Sequence, residues 1–266
     1  MNAVLLAILQ GFTEFLPISS TGHLVFAQQL LRIRDPQIMT FDIFVHFGTL
    51  LSVVMIYWKD LLQMIKAFFN TLANFILNKE NKSSEDFNLG IYIIIGSIPA
   101  GLVGIIFHDQ IEEAFTDPKL VAMNLVVTGL VLFLTRLVKS KQEKKIGIIS
   151  SFFIGCAQAV AILPGISRSG LTMSVALYFK TPPVQAARFS FLLSVPVIAG
   201  AAMLEGIDLL KNGTSFEFMQ LFIGVFVSAA AGFFAIKLLL RIMERGKFNL
   251  FAFYCLIVGI LGIIFI

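Results

Sequence analysis

The chain has 266 residues, of which 58% are hydrophobic and 14% charged, and its mean hydropathy of +0.90 excludes a soluble core and indicates a polytopic membrane protein. The net charge of +4 gives no reason to expect a nucleic-acid partner, because in a membrane protein the placement of Lys and Arg matters more than their sum. The two cysteines, Cys156 and Cys255, lie in apolar runs, so neither a disulfide framework nor a zinc site is expected. The first apolar stretch lacks a basic n-region and an A-x-A-like site, and is read as part of the fold and not as a cleavable signal peptide.

Met1 to Phe15 is apolar but short: about 15 residues reach only about 22 Å, against a hydrocarbon core of about 30 Å. Pro17 removes a backbone donor, and Ser19-Ser20-Thr21-Gly22 leads into a second short run, Leu24 to Leu31, ending at Arg32. Two half-length helices with a polar tip describe a re-entrant hairpin. Such a tip is tolerated at membrane depth only where it is buried in protein or lines a wet cavity.

A polar turn, Arg32 to Pro36, is followed by a predicted span from Phe41 to Trp58. Leu61 to Leu77 alternates apolar and polar residues and is expected to be an interfacial or cytosolic helical extension. Lys79 to Phe87 is a hydrophilic loop, Gly90 to Phe107 spans, His108 to Pro118 is an acid-rich turn, and Lys119 to Val138 spans. After the basic stretch Lys139 to Lys145 the opening pattern returns. Ile146 to Leu163 is apolar, Pro164-Gly165 breaks it, and Leu171 to Phe179 closes a second hairpin at Lys180. Spans are then expected from Ala187 to Leu204, Phe216 to Leu239 and Phe248 to Ile266. Arg188, near the end of its span, is expected to snorkel.

The two halves read as repeats. Gln10 to Gly22 aligns without a gap on Gln158 to Gly170, and Leu50-Leu-Ser-Val53 recurs as Leu192-Leu-Ser-Val195. One hairpin plus three spans is an odd number of crossings, so the second repeat is expected to be inverted, with the broken tips meeting near the midplane. The expected fold is therefore all-α: one membrane domain over residues 1–266 with six transmembrane helices and two re-entrant hairpins. Repeat one is about 1–138 (hairpin 1–32) and repeat two about 146–266 (hairpin 146–180). Basic residues gather in alternate loops, including Lys139, Lys141, Lys144, Lys145, Lys180, Arg241 and Arg245, which places those loops in the cytoplasm and both termini outside.

The repeats differ at their reactive groups. Glu14 aligns on Ile162, Ser20 on Arg168 and His23 on Leu171. One tip brings a carboxylate and an imidazole and the other a guanidinium, and each is costly at membrane depth unless it faces a cavity or a partner. Gln10 and Glu14, at i and i+4, share a helix face; their oxygens suit Mg²⁺ or Ca²⁺ held jointly with phosphate, although Gln10 could also serve a neighbouring helix. Ser19, Ser20 and Thr21 on one tip, and Gly165, Ser167, Ser169 and Thr172 on the other, supply hydroxyls and free N–H groups at helix starts, which favour anions. Ordinary capping is the alternative for each hydroxyl. Arg168 adds a planar fork suited to phosphate. His23 is a candidate nucleophile or general acid, or else a packed structural histidine. Asp42 and His46 open the next span and are candidates to line the same cavity.

Gln10-x-x-x-Glu14 with Pro17-x-Ser-Ser-Thr-Gly-His23, and Pro164-Gly-Ile-Ser-Arg-Ser-Gly-Leu-Thr172, resemble the two signature motifs of the undecaprenyl-diphosphatase family, the bacitracin-resistance-type membrane phosphatases of bacteria. The resemblance covers the whole chain in length, order and spacing. It implies a multi-pass protein of the bacterial plasma membrane whose substrate is a polyprenyl diphosphate lipid. It implies hydrolysis to the monophosphate with a divalent cation, Mg²⁺ or Ca²⁺, which recycles the lipid carrier for peptidoglycan synthesis and confers bacitracin resistance. It implies Glu14, Ser20, His23 and Arg168 as catalytic positions, Ser19, Thr21, Gly165, Ser167, Ser169 and Thr172 around the phosphates, Glu14 and Gln10 at the metal, and a pocket open towards the outer face. The family admits Glu or Gln at its first motif position, and Gln10 here removes one carboxylate from the metal site. A polyprenyl-phosphate flippase or transporter is the alternative function, since inverted broken-helix repeats are transporter architecture. Homo-oligomerisation is left open by the sequence.

Overall fold

A computed structural model describes residues 2–33, 38–77, 84–138, 144–212 and 218–266. Parts of three expected loops (34–36, 79–83 and 139–143) lie outside the described residues. Every regular element among the described residues is helical.

The chain opens with α1 (Asn2–Phe15) and α2 (Ser20–Leu30), joined by a four-residue tip; α1 stops two residues before Pro17, as proline chemistry requires. Next comes α3 (Ile38–Ile76), in which the expected span and extension are one 39-residue helix, with a break in helical geometry at Tyr57 (φ −107°, ψ 21°). At about 1.5 Å per residue it is about 58 Å long, beyond the 40–45 Å or so of a whole bilayer, so one end must leave the lipid. The end carrying Lys66 is the polar one.

α4 (Glu85–Ile106), a short α5 (His108–Phe115) and α6 (Pro118–Leu134) follow. Asp117 starts α6 by accepting from Lys119 N at 3.0 Å and Leu120 N at 3.2 Å, ahead of Pro118 in the first turn. The second hairpin is α7 (Ile148–Val160) and α8 (Arg168–Tyr178), then α9 (Pro183–Asn212), α10 (Phe218–Glu244) and α11 (Leu250–Phe265). α7 ends three residues short of the expected Leu163, because the turn that prepares Pro164 takes up residues 161–163.

Among the described residues, five helices are long and apolar enough to cross a membrane: Phe41–Asn74, Glu85–Ile106, Pro118–Leu137, Pro183–Leu204 and Phe218–Glu244. The expected sixth span is Leu250–Phe265, only 16 residues, because the left-handed Gly246 (φ 65°) and the turn after it consume its start.

The two hairpins carry matching local devices. Ser19 caps α2 by accepting from Gly22 N at 3.2 Å, and Ser167 caps α8 by accepting from Gly170 N at 3.1 Å. α1 packs against α10 and α7 against α4. Glycine makes both approaches close: a Cβ on Gly11 would overlap Ala231 and the α10 backbone, and one on Gly155 would overlap the Gly96 backbone. Small residues at such crossings are how helices pack without a hydrophobic drive between them. α6 and α11 lie side by side and each braces one tip: Asn124 Nδ2 donates to Pro164 O at 2.8 Å, and Cys255 Sγ to Pro17 O at 3.4 Å. Arg188 forms an ion pair with Asp60, tying α9 to α3. A charge offered a partner on the adjacent helix has no need to reach for the interface.

Candidate active site

The two tips bond directly. Ser169 Oγ donates to Leu16 O at 3.1 Å, and Gly165 N donates to Thr21 Oγ1 at 3.4 Å. Gly165 (φ 88°) sits in the left-handed region with Val121 of α6 against it, so a side chain there would be both strained and blocked. Ser19 at the first tip also has a positive φ, 66°, which is uncommon without glycine and holds its hydroxyl on the α2 cap.

Glu14, buried at the end of α1, is the hub. Its Oε2 accepts from Gln10 Nε2 at 2.8 Å and from Ser20 Oγ at 2.6 Å, and lies 3.4 Å from His46 Nε2 of α3. Its Oε1 pairs with Arg168 Nη2 at the first position of α8. A buried carboxylate is thus met by donors from its own helix and from both tips, with the His46 ring of α3 beside it, and such partners are what a charge at this depth requires. His46 is held by its other nitrogen: Nδ1 donates to Asp42 O at 2.7 Å, and Gln28 Nε2 donates to Asp42 Oδ2 at 2.8 Å.

These groups open onto a cavity of about 460 Å³. Glu14, Ser19, Ser20, Thr21, Ser167 and Arg168 form its polar end, with Asp42, His46 and Gln158 beside them. Leu24, Val25, Ile43, Ile162, Ile166, Val197 and Ile198 form an aliphatic wall, and Glu112, Phe115 and Thr116 of α5 and the turn after it also line the cavity. The starts of α2 and α8 both face this space, and the first N–H groups of a helix have no intrahelical partner. A polar end shaped for an anion with an apolar wall beside it suits an amphiphile with a charged head.

The remaining sequence candidates are placed elsewhere. Both ring nitrogens of His23 are taken, Nδ1 at 2.7 Å from Ser19 O and Nε2 at 2.7 Å from Tyr254 Oη, with the two rings stacked. His23 does not line the cavity. Thr172 Oγ1 donates to Arg168 O at 2.7 Å and lies 2.6 Å from Ser190 Oγ, so it steadies the arginine's helix from behind. Gln10 lies behind Glu14, with its Oε1 buried and unpartnered. Gln158 was not singled out for chemistry in the sequence, although its alignment on Gln10 was a signal. Among the described residues no three His, Cys, Asp or Glu side chains gather as a metal cluster. A Mg²⁺-type ion commonly takes one or two protein oxygens and completes its shell with water and substrate phosphate. Glu14 on the cavity lining fits that donor chemistry, and Gln10 Oε1 would join it only with the amide turned over, since Nε2 faces Glu14 and Gln10 does not line the cavity.

The architecture and site define a multi-pass helical membrane protein with a cavity centred on a buried carboxylate. Residues 3–261 match the family model for bacitracin resistance protein BacA, and the chain belongs to that family. It is 43% identical to an undecaprenyl-diphosphatase of Halothermothrix orenii over 266 residues, covering 99% of this chain and 96% of the relative. It is 37% identical over 264 residues to an undecaprenyl-diphosphatase of Salinibacter ruber, covering 98% and 97% of the two chains. A third relative of the same name, from Thermodesulfovibrio yellowstonii, is 41% identical over 254 residues, covering 95% of this chain and 92% of its own.

Proposed function

We propose that the protein is a membrane phosphatase that hydrolyses undecaprenyl diphosphate to undecaprenyl phosphate and inorganic phosphate, returning the lipid carrier to cell-wall synthesis in the bacterial plasma membrane. The observation that carries the reading is the 2.6 Å hydrogen bond from Ser20 Oγ to Glu14 Oε2, beside Arg168, at the polar end of a cavity with an aliphatic wall. A hydroxyl donating to a buried carboxylate is a nucleophile with its base.

Ser20 Oγ attacks the terminal phosphorus, its proton passes to Glu14 Oε2, and the P–O bond to the inner phosphate breaks, releasing the polyprenyl monophosphate. Glu14 loses that first proton by way of His46; water then attacks the serine phosphoester, Glu14 takes the water's proton and returns it to Ser20 Oγ as the Oγ–P bond breaks, giving inorganic phosphate and free serine. Arg168 exchanges Glu14 for the phosphoryl oxygens and, with the N–H groups at the starts of α2 and α8, stabilises the charge that spreads over them. His46, on the same Glu14 oxygen, stands where that proton can be passed on. Glu14 and Gln10 would hold the divalent cation, which supplies charge neutralisation for the diphosphate. His23 contributes by fixing the tip against Tyr254.

In the bilayer we read the two hairpins as re-entrant, the short α11 as the sixth crossing, and the halves 1–138 and 146–266 as an inverted repeat. The matched caps, the α1–α10 and α7–α4 pairings and the tip-bracing α6 and α11 support this. The His108 to Pro118 turn, placed outside by the charge rule, lines the cavity with Glu112, Phe115 and Thr116, which supports an opening towards the outer face. Phosphate release from undecaprenyl diphosphate by the purified protein in detergent tests the function. A carrier that only moves the lipid needs a sealed bilayer and releases none.

A further inference from the structure

Buried polar atoms without a partner gather in one part of this protein. Among the described residues they are Gln10 Oε1, Asp42 Oδ1, both amide atoms of Gln158, Arg168 Nη1 and Ser174 Oγ. All but the Ser174 hydroxyl lie on residues that line the cavity or bond Glu14. A buried polar group left unpaired carries its full desolvation penalty, so such groups call for an explanation, and a water, an ion or a ligand group as partner is among those available.

Gln158 is the extreme case. It is 2% exposed, it lines the cavity from α7, and neither end of its carboxamide is bonded. Its counterpart on α1 shows what is missing. Gln10 spends its Nε2 on Glu14 four residues on, whereas the residue four on from Gln158 is Ile162, which accepts nothing. Below Gln158, towards the second tip, Ala161, Ile162 and Ile166 continue the lining as an apolar wall. Gln158 therefore lines the same cavity as Arg168 and Ser20, from the helix that supplies part of the aliphatic wall.

We propose that Gln158 is a substrate-contacting residue that holds the phosphate not transferred in the reaction. Its Nε2 donates to oxygens of the inner phosphate and its Oε1 accepts from the water that hydrates them. The transferred phosphate already has Ser20, Arg168 and two helix starts; the inner one must sit between those groups and the tail, on the side where the lining turns apolar. The site thereby separates a diphosphate from a monophosphate. This rests on the hydrolase reading above.

Gln158→Met keeps the length of the side chain and removes the amide. In purified protein in detergent, the variant should unfold at or above the wild-type temperature, because an unpartnered buried amide has been replaced by an apolar group. Stabilisation by inorganic pyrophosphate should need about tenfold more of it, as expected for loss of one hydrogen bond to a charged group. The response to inorganic phosphate should be unchanged. With undecaprenyl diphosphate, KM should rise about tenfold while kcat stays within about threefold, and Gln158→Glu, which sets a carboxylate against phosphate, should raise KM further. A Met variant that unfolds earlier or fails to fold would show the amide to be structural and overturn the proposal. So would a wild-type pyrophosphate response and KM in either variant. If wild-type protein released no phosphate, the hydrolase reading would fall, and the pyrophosphate comparison would still decide the role of Gln158.

Discussion

Ser20 Oγ and Glu14 Oε2 are 2.6 Å apart, on opposite sides of one broken hairpin, and the carboxylate that takes the serine's hydrogen bond is also the partner of Arg168 from the other hairpin. The proposed nucleophile, its proposed base and the guanidinium of the second hairpin thus form one connected group. Ser20→Ala should lower kcat at least about a thousandfold, about 4 kcal/mol of activation free energy, with unfolding temperature little changed. Rates of phosphate release from purified variants check this, and a loss below tenfold would remove Ser20 from the chemistry.

Glu14→Gln keeps the shape and an acceptor for Ser20 but cannot take a proton. Turnover should fall more than about a hundredfold while the protein still inserts and folds. Gln10→Glu replaces the Nε2 donor to Glu14 by a second carboxylate, so it should be tolerated with the divalent cation present and should make turnover more dependent on that cation. Near-normal turnover by Glu14→Gln would return Glu14 to a structural role.

Arg168 offers two nitrogens to one plane, whereas a lysine acts as a point charge. Arg168→Lys should lower kcat well over tenfold, more than about 1.4 kcal/mol. If Arg168 served only to neutralise Glu14, the double variant Glu14→Gln, Arg168→Gln should recover what either single variant loses. The proposed mechanism predicts no recovery, because in it each group has its own part in the reaction.

His23 gives a prediction of the opposite kind. Both its nitrogens are committed, to Ser19 O and Tyr254 Oη, and the proposed mechanism gives it the holding of the tip and not the chemistry. His23→Ala and Tyr254→Phe should therefore cause similar losses, at most about tenfold in kcat, accompanied by a lower unfolding temperature. A loss from His23→Ala as deep as that of Ser20→Ala, with Tyr254→Phe unaffected, would make the imidazole catalytic.

The sidedness can be tested with single cysteines in a background lacking Cys156 and Cys255. An impermeant reagent applied to intact cells should label the His108 to Pro118 turn and leave the Lys139 to Lys145 loop untouched. Labelling of the basic loop would sink the inverted arrangement.

Much of this was legible in the sequence because membrane burial makes polar residues rare and therefore conspicuous. Pro17, Pro164 and the apolar run lengths located both hairpins, and the alignment of Gln10 on Gln158 located both caps. What the sequence could not supply was direction around a helix. His23 and His46 both flank the expected site in sequence. Only the tertiary arrangement turns His23 towards Tyr254 on α11 and sets His46 of α3 against Glu14. Likewise, hydropathy separated the spanning part of α3 from its polar end, but not the continuous helix through Tyr57, because composition changes there while backbone hydrogen bonding continues.

The most direct measurement uses undecaprenyl diphosphate labelled in its terminal phosphate, mixed with excess purified protein in detergent with Mg²⁺ and quenched in acid during the first turnover. The account predicts that labelled phosphate is released, that label is transiently retained covalently on the protein, and that Ser20→Ala shows neither. Wild-type protein that releases no phosphate, or that releases it at full rate from the Ser20→Ala variant, would contradict it.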